Sequence, residues 1–182
     1  MSATALILVD FQNDYFDGGA FTLVGTATAA ATARRVLDHF RAKGGTVVHV
    51  RHHAGEDDAT FFVPGTQGAE INAMVEPREG EHRVTKSNIN AFLGTDLKAI
   101  LDAQNVTDLV VVGAMSHMCI DAVVRAASDM GYRVTVVHDA VATRDLDFDG
   151  KTVMAAEVHA AFMAALGFAY AEIVSADAYF VR

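Results

Sequence analysis

The one cysteine of this 182-residue chain, Cys119, ends the segment Gly113-Ala114-Met115-Ser116-His117-Met118-Cys119, which follows an apolar run at 109–112 and leads into a helical stretch. A thiol attacks carbon as its thiolate, and a helix N-terminus or a nearby cation stabilises that form. Two further chemical groups occupy equivalent places: Asp10 follows the apolar run 5–9, and Lys86 follows 83–85. In open α/β sheets ligands bind beyond the carboxyl ends of the strands, so an acid, a base and a thiol are expected at one edge of a sheet. Each also has an ordinary role. A buried Cys is a small hydrophobe, an Asp after a strand caps a turn, and a lone Lys is a solvated charge. Spacing alone does not show that the three touch.

The elements that must position them are read from periodicity. Runs at 5–9, 108–112 and 133–137 are short, rich in Val, Ile or Leu, and do not alternate with polar residues. Such runs fit strands covered on both faces, as in a parallel sheet. Residues 46–50 belong with them despite His49, and 171–174 form a last strand. Helical segments lie between, at 27–43, 95–104, 118–130 and 150–166, with C-terminal glycines expected at Gly44-Gly45, Gly131 and Gly167. The alternation predicts a three-layer α/β/α, Rossmann-like fold with a mainly parallel sheet of about six strands. Residues 51–90, with Pro64 and Pro77, read as a long loop around one short helix and one strand, in the manner of a binding loop. No repeat or linker divides the chain, so residues 1–182 are expected to form a single domain.

Composition narrows the partners. A chain 52% hydrophobic and 20% charged has enough apolar surface to fold compactly. Its formal charge of −9 opposes binding to nucleic acid or to an anionic membrane, both of which need concentrated Lys and Arg. The apolar run at 160–171 is shorter than the roughly twenty residues a membrane span requires. One Cys makes no internal disulfide, and the start shows no secretory pattern, so a cytoplasmic location is expected. The mean hydropathy of +0.24 predicts surplus apolar surface placed in a subunit interface.

Three blocks carry a family resemblance. They are Leu8-Val9-Asp10-Phe11-Gln12-Asn13-Asp14, then Val84-Thr85-Lys86-Ser87 with Ala91-Phe92, and then 112–121 with Arg125-Ala126-Ala127. In order and spacing they resemble the isochorismatase-like cysteine hydrolases, which include nicotinamidases and N-carbamoylsarcosine amidohydrolase. The segments Asp139-Ala140 and 158–162 look similar too. The resemblance implies a catalytic triad of Asp10, Lys86 and Cys119. Asp10 would be the general base, Lys86 would hold the charges in place, and Cys119 would attack a carbonyl carbon to form a thioester. It also implies a non-proline cis peptide at Ala114-Met115, aiming the backbone N–H groups of Met115 and Cys119 at an oxyanion. One proton shared between acid and thiol would make reactivity bell-shaped in pH. Relatives of this kind are commonly dimers or tetramers, so a homodimer or homotetramer is expected.

The chain departs from the nicotinamidases where their metal-binding Asp-Trp-His stands: here the sequence is Val50-Arg51-His52-His53-Ala54-Gly55, and there is no Trp. Adjacent histidines on a strand point to opposite faces, so no metal and no cofactor are expected. True isochorismatases typically carry Gly where Cys119 stands, which favours C–N hydrolysis here, of a small amide or lactam. Candidate substrate contacts are Phe11, Phe16, Phe61, Phe62 and Phe92 as apolar walls, with Gln12, Arg51, Asn88 and His117 as polar groups. Glu56-Asp57-Asp58 reads as a solvated loop cluster, and 145–149 as a loop capping the helix from Gly150. Alternative functions are a nicotinamidase with a degenerate metal site, an isochorismatase-type hydrolase, and a non-catalytic thiol sensor or binding protein.

Overall fold

The structure, a computed structural model, describes residues 3–55 and 58–181. Of the acidic cluster at 56–58, Glu56 and Asp57 lie outside the described residues. Six strands form one parallel sheet in the order β3-β2-β1-β4-β5-β8. They are β1 (Ala3–Val9), β2 (Thr46–His52), β3 (His82–Lys86), β4 (Val106–Ala114), β5 (Arg133–Ala142) and β8 (Glu172–Val174). Alternate residues of each strand feed two cores. Ala5, Ile7, Val9, Val48, Val50, Leu109 and Val111 pack with α2 (Leu97–Ala103), α3 (Asp121–Asp129) and α4 (Ala155–Ala169). Leu6, Leu8, Val47, Val110, Val112 and Val137 pack with α1 (Thr26–Ala42) and α5 (Ala176–Phe180). Both faces of the sheet are therefore covered, and this is why the strand sequences are continuously apolar. Burying each such Val, Leu or Ile side chain contributes about 1.5–3 kcal/mol.

The strand order reverses between β1 and β4. From β1 the chain winds outward to β2 and β3, then crosses back to β4 and winds the other way. That reversal opens a crevice at the carboxyl ends of β1 and β4, with Asp10 and Cys119 on its rim.

Three elements differ from the sequence reading. Residues 150–153 are not the start of a helix. They belong to a hairpin of β6 (Leu146–Phe148) and β7 (Lys151–Val153), in which Phe148 pairs with Lys151 across Asp149-Gly150. Both turn residues have positive φ, 49° and 72°, the backbone that Asp-Gly supplies in a two-residue hairpin. Asp145 still caps α4, because its Oδ1 accepts the Ala155 N–H at 2.6 Å. Gly167 lies inside α4 rather than ending it, with Ile173 packed so closely that a β-carbon would approach its Cγ1 to 3.1 Å. Finally, α3 begins at Asp121, after a π-type turn over Ser116–Ile120 that carries Cys119. Gly44 and Gly131 do follow α1 and α3 with positive φ, as helix-terminating glycines. Among the described residues no helix is long and apolar enough to cross a membrane.

Candidate active site

The ends of β1 and β4 approach each other because of one glycine. Gly113 pairs with Val9 at φ 134°, and a β-carbon there would overlap the Val9 carbonyl. The close approach sets the turn that bears Cys119 beside Asp10, which itself adopts φ 54° and donates its N–H to the Val50 carbonyl at 2.9 Å. The Ala114–Met115 peptide is cis. Lys86 is the last residue of β3, two strands away, and its side chain reaches over the end of β2 to the crevice.

Asp10, Lys86 and Cys119 meet there with almost no solvent exposure: 0%, 1% and 3%. Lys86 Nζ lies 2.9 Å from Asp10 Oδ2 and 3.2 Å from Cys119 Sγ. The contact with Asp10 is a buried ion pair, and the carboxylate also faces the Cys119 thiol. Burial alone would discharge the lysine, but the facing Asp10 and Cys119 outweigh it and raise its pKa, so the ammonium is retained. At Cys119 the balance falls on the neutral form. Burial and then the Asp10 charge push the thiol far up, against a smaller lowering by Lys86. The resting group is therefore a thiol with a carboxylate and an ammonium poised beside it.

A cavity of about 100 Å³ opens on Cys119, walled by Tyr15, His52, Phe61, Phe62, Ile89, Met115 and Met118. It admits a group of a few heavy atoms. Tyr15 packs on Phe62 at 4.5 Å between ring centroids, and Phe61 stacks on Phe21 at 4.4 Å. Burial first, then Asp10, pushes the Tyr15 phenol far up, so it remains a neutral donor. Phe62 holds φ 55°, and its N–H is gripped by Asp14 Oδ2 at 2.6 Å. That bond fixes the aromatic loop over the site.

Of the residues expected to line the pocket, Phe61 and Phe62 do so. Phe11 and Phe92 are core side chains, Phe92 stacking on Tyr132, and Phe16 packs at the margin of the α1-side core. Gln12 is fully buried and structural. Its amide spans β2 and the long loop, donating to the carbonyls of His52 and Ala69 at 2.8 Å and accepting the His52 N–H at 2.7 Å. Arg51 leaves the opposite face of β2 from His52, because neighbouring strand residues alternate. It enters a separate cleft of about 190 Å³ with Glu70 and Arg83, bonded to Glu70 at 3.2 Å and Thr85 at 3.1 Å. Asn88 is exposed and reaches the Leu93 carbonyl. His117 bonds the Thr143 hydroxyl at 2.7 Å, and burial, then Arg144, lowers its pKa. Tyr15, His52, Ile89 and Met118 were not among the expected walls. Only Tyr15 carried a signal, as an aromatic residue five positions beyond Asp10.

A metal does not fit at the position of the missing Asp-Trp-His. His52 Nδ1 is engaged at 2.9 Å by the Lys86 ammonium, so its lone pair is taken and a second cation would sit beside the first.

Comparison with known proteins agrees with this geometry. Residues 4–173 match the model of the Isochorismatase domain. The Bacillus subtilis isochorismatase-family protein YddQ is 46% identical over 176 residues, covering 97% of this chain and 98% of that protein. Streptothricin hydrolase of Streptomyces noursei is 40% identical over 144 residues, 78% of this chain, which spans 50% of the length of that enzyme. A crystal structure from Oleispira antarctica, assigned there to the isochorismatase hydrolases, superposes with a TM-score of 0.96 at 54% identity, covering 100% of this chain and 97% of that one. A match spanning nearly every strand and helix that builds the crevice, at this identity, leaves one conclusion: the chain belongs to the isochorismatase family of hydrolases.

Proposed function

We propose that this protein is a cysteine-dependent hydrolase that cleaves the C–N bond of a small amide or lactam through a thioester acyl-enzyme. The observation that carries the reading is the buried contact of Lys86 Nζ with both Asp10 and Cys119 Sγ, at the floor of an apolar cavity. A buried thiol with a carboxylate in contact has a proton acceptor at hand, and the ammonium offsets the charge that moves between them. Attack on the carbonyl carbon transfers the thiol proton to Asp10. The tetrahedral oxyanion is assigned to the backbone N–H groups of Met115 and Cys119. As the C–N bond breaks, the nitrogen takes the proton from Asp10 and leaves as ammonia or an amine. Asp10 then accepts a proton from water, the hydroxide adds to the thioester, and Sγ departs and recovers that proton.

The aromatic walls and the small cavity favour a compact acyl group, and the likeness to streptothricin hydrolase extends the substrate class to lactams. The test begins without a substrate. Iodoacetamide alkylation of Cys119 is followed from about pH 5 to 10 in the wild type, Asp10→Asn and Lys86→Ala. With Asp10 as base, the wild-type rate climbs much less than tenfold per pH unit through neutrality. Both variants lose that assistance and react only as hydroxide rises. Identical profiles in all three proteins would refute the triad. A screen of primary amides and lactams then names the substrate.

A further inference from the structure

Lys86 has a third close neighbour. Besides Asp10 and Cys119, the Nδ1 of His52 lies 2.9 Å from its Nζ. An ammonium carries three protons and no lone pair, so the hydrogen in this contact is the lysine's and Nδ1 is the acceptor. The ring is therefore neutral, with its proton on Nε2. The topology makes the contact: β2 lies between β1 and β3, His52 pairs in register with Lys86, and a side chain crossing from β3 to Asp10 must pass over His52. The backbone is held on both sides. Gln12, two residues after Asp10, clamps the His52 N–H and C=O, and His53 donates to the Lys86 carbonyl at 2.8 Å.

We infer that His52 is a positioning residue for Lys86, supplying the one acceptor whose charge does not change during the reaction. The inference rests on the triad reading above. In that cycle, attack passes the thiol proton to Asp10 while the sulfur goes from thiol to thioether-like centre, so the ammonium's one anionic partner loses its charge and the sulfur carries none. A buried cation without partners is strongly disfavoured and would be drawn from its place. His52 Nδ1 keeps one bond throughout. It thereby holds Nζ where Asp10 and Sγ need it when they become anionic again.

The competing account is that His52 merely packs, since its ring lies 6.0 Å from that of Phe62. Alkylation of Cys119 separates the two, because it also passes the thiol proton to Asp10 and leaves the sulfur as a neutral thioether. His52→Leu, which keeps apolar bulk, is expected to slow the reaction at neutral pH by about 100-fold, the scale of a misplaced catalytic group. His52→Asn, whose Oδ1 takes the place of Nδ1, is expected to stay within several-fold of wild type, whereas His52→Gln, with its acceptor one bond further out, follows Leu. Wild-type rates in His52→Leu, with Lys86→Ala slow, overturn the role of His52 and leave the triad standing. Wild-type rates in Lys86→Ala refute the triad itself. Equal slowing in Asn and Leu assigns the effect to lost packing and also overturns the inference. Should His52→Leu fail to fold, the difference between Asn and Gln decides the matter. Imidazole ¹⁵N spectra give a second readout: a protonated Nδ1 in the wild type would overturn the assignment.

Discussion

Two buried clusters of charge sit on this sheet, and they are bonded in opposite ways. At the outer edge, Glu81 accepts from Arg41 at 2.6 and 2.9 Å, from His49 Nε2 at 2.9 Å and from the Arg78 N–H at 2.8 Å. Burial would raise its pKa, yet these donors together bring it down to about 2. In the crevice, Asp10 is more deeply buried and has two side-chain neighbours of another kind, the Lys86 ammonium at 2.9 Å and the Cys119 thiol. A carboxylate surrounded by donors is held as an anion and serves the fold. One faced by a single ammonium and a thiol has a proton donor in contact with it, and the surrounding structure must compensate for keeping it buried.

The sharpest way to break this comparison is to neutralise each acid in turn. Asp10→Asn is expected to reduce hydrolysis by at least about 10³-fold, as loss of a general base and its coupled partners does. Glu81→Gln is expected to do the reverse. It leaves turnover and alkylation near wild type but removes about 3 kcal/mol of stability, since Arg41 keeps only a neutral acceptor. Kinetics and urea unfolding on the same two proteins check both halves. Turnover slowed in Glu81→Gln as far as in Asp10→Asn would dissolve the distinction.

Acid sharpens it further. Glu81 is ordinarily near 4.5 and lies at about 2 in the fold, so its stabilisation is complete above pH 4.5 and lost as the pH falls from there towards 2. The full shift corresponds to about 3 kcal/mol at most. His49, lowered by burial against the opposing pull of Glu81, adds to the loss on the same side. Its unfolded ring gains a proton below about pH 6.5 more readily than the folded one. Urea midpoints should therefore fall on acidification in two stages, the first beginning below about pH 6.5. In Glu81→Gln the stage below pH 4.5 should flatten. An unchanged acid limb in that variant would mean that other carboxylates control it.

The same contrast explains what was legible in the sequence. Strands of a doubly covered sheet are continuously apolar, so 5–9, 46–50, 109–112 and 133–137 declared themselves, and with them the strand ends that lead to Asp10 and Cys119; Lys86 ends the short edge strand β3, which is not apolar throughout. Side-chain direction was not legible. Phe11 and Phe92 stand beside the right residues in sequence but face the two cores, and Arg51 and His52 part to opposite faces of β2. His52 was weighed as a metal ligand because histidine in that place suggests one, while its actual neighbour, Lys86, is 34 residues away and becomes adjacent only through strand register. The hairpin at 146–153 was missed for a different reason. Its strands are three residues each, too short to show alternation, and only the Asp149-Gly150 pair marks the turn.

Asp14 tests the comparison at its smallest scale, because it lies beside the crevice of Asp10 and Cys119 yet is bonded like Glu81. Its two oxygens accept the Phe62 N–H at 2.6 Å and the Ala20 N–H at 3.2 Å, and Gly68 packs so closely that a β-carbon would overlap the carboxylate. If satisfaction rather than location decides an acid's role, Asp14 is a fastener of the aromatic loop and takes no proton in the reaction. Asp14→Ala should then weaken folding by about 1–2 kcal/mol through two lost bonds to backbone. It should raise KM several-fold as Phe61 and Phe62 loosen over the cavity, while the pH profile of Cys119 alkylation keeps its shape. Gly68→Ala should reproduce that pattern with the carboxylate still present, because the added methyl displaces Asp14 from the same N–H groups. A change in the shape of the alkylation profile in Asp14→Ala, absent from Gly68→Ala, would instead place Asp14 among the groups that exchange protons with the thiol.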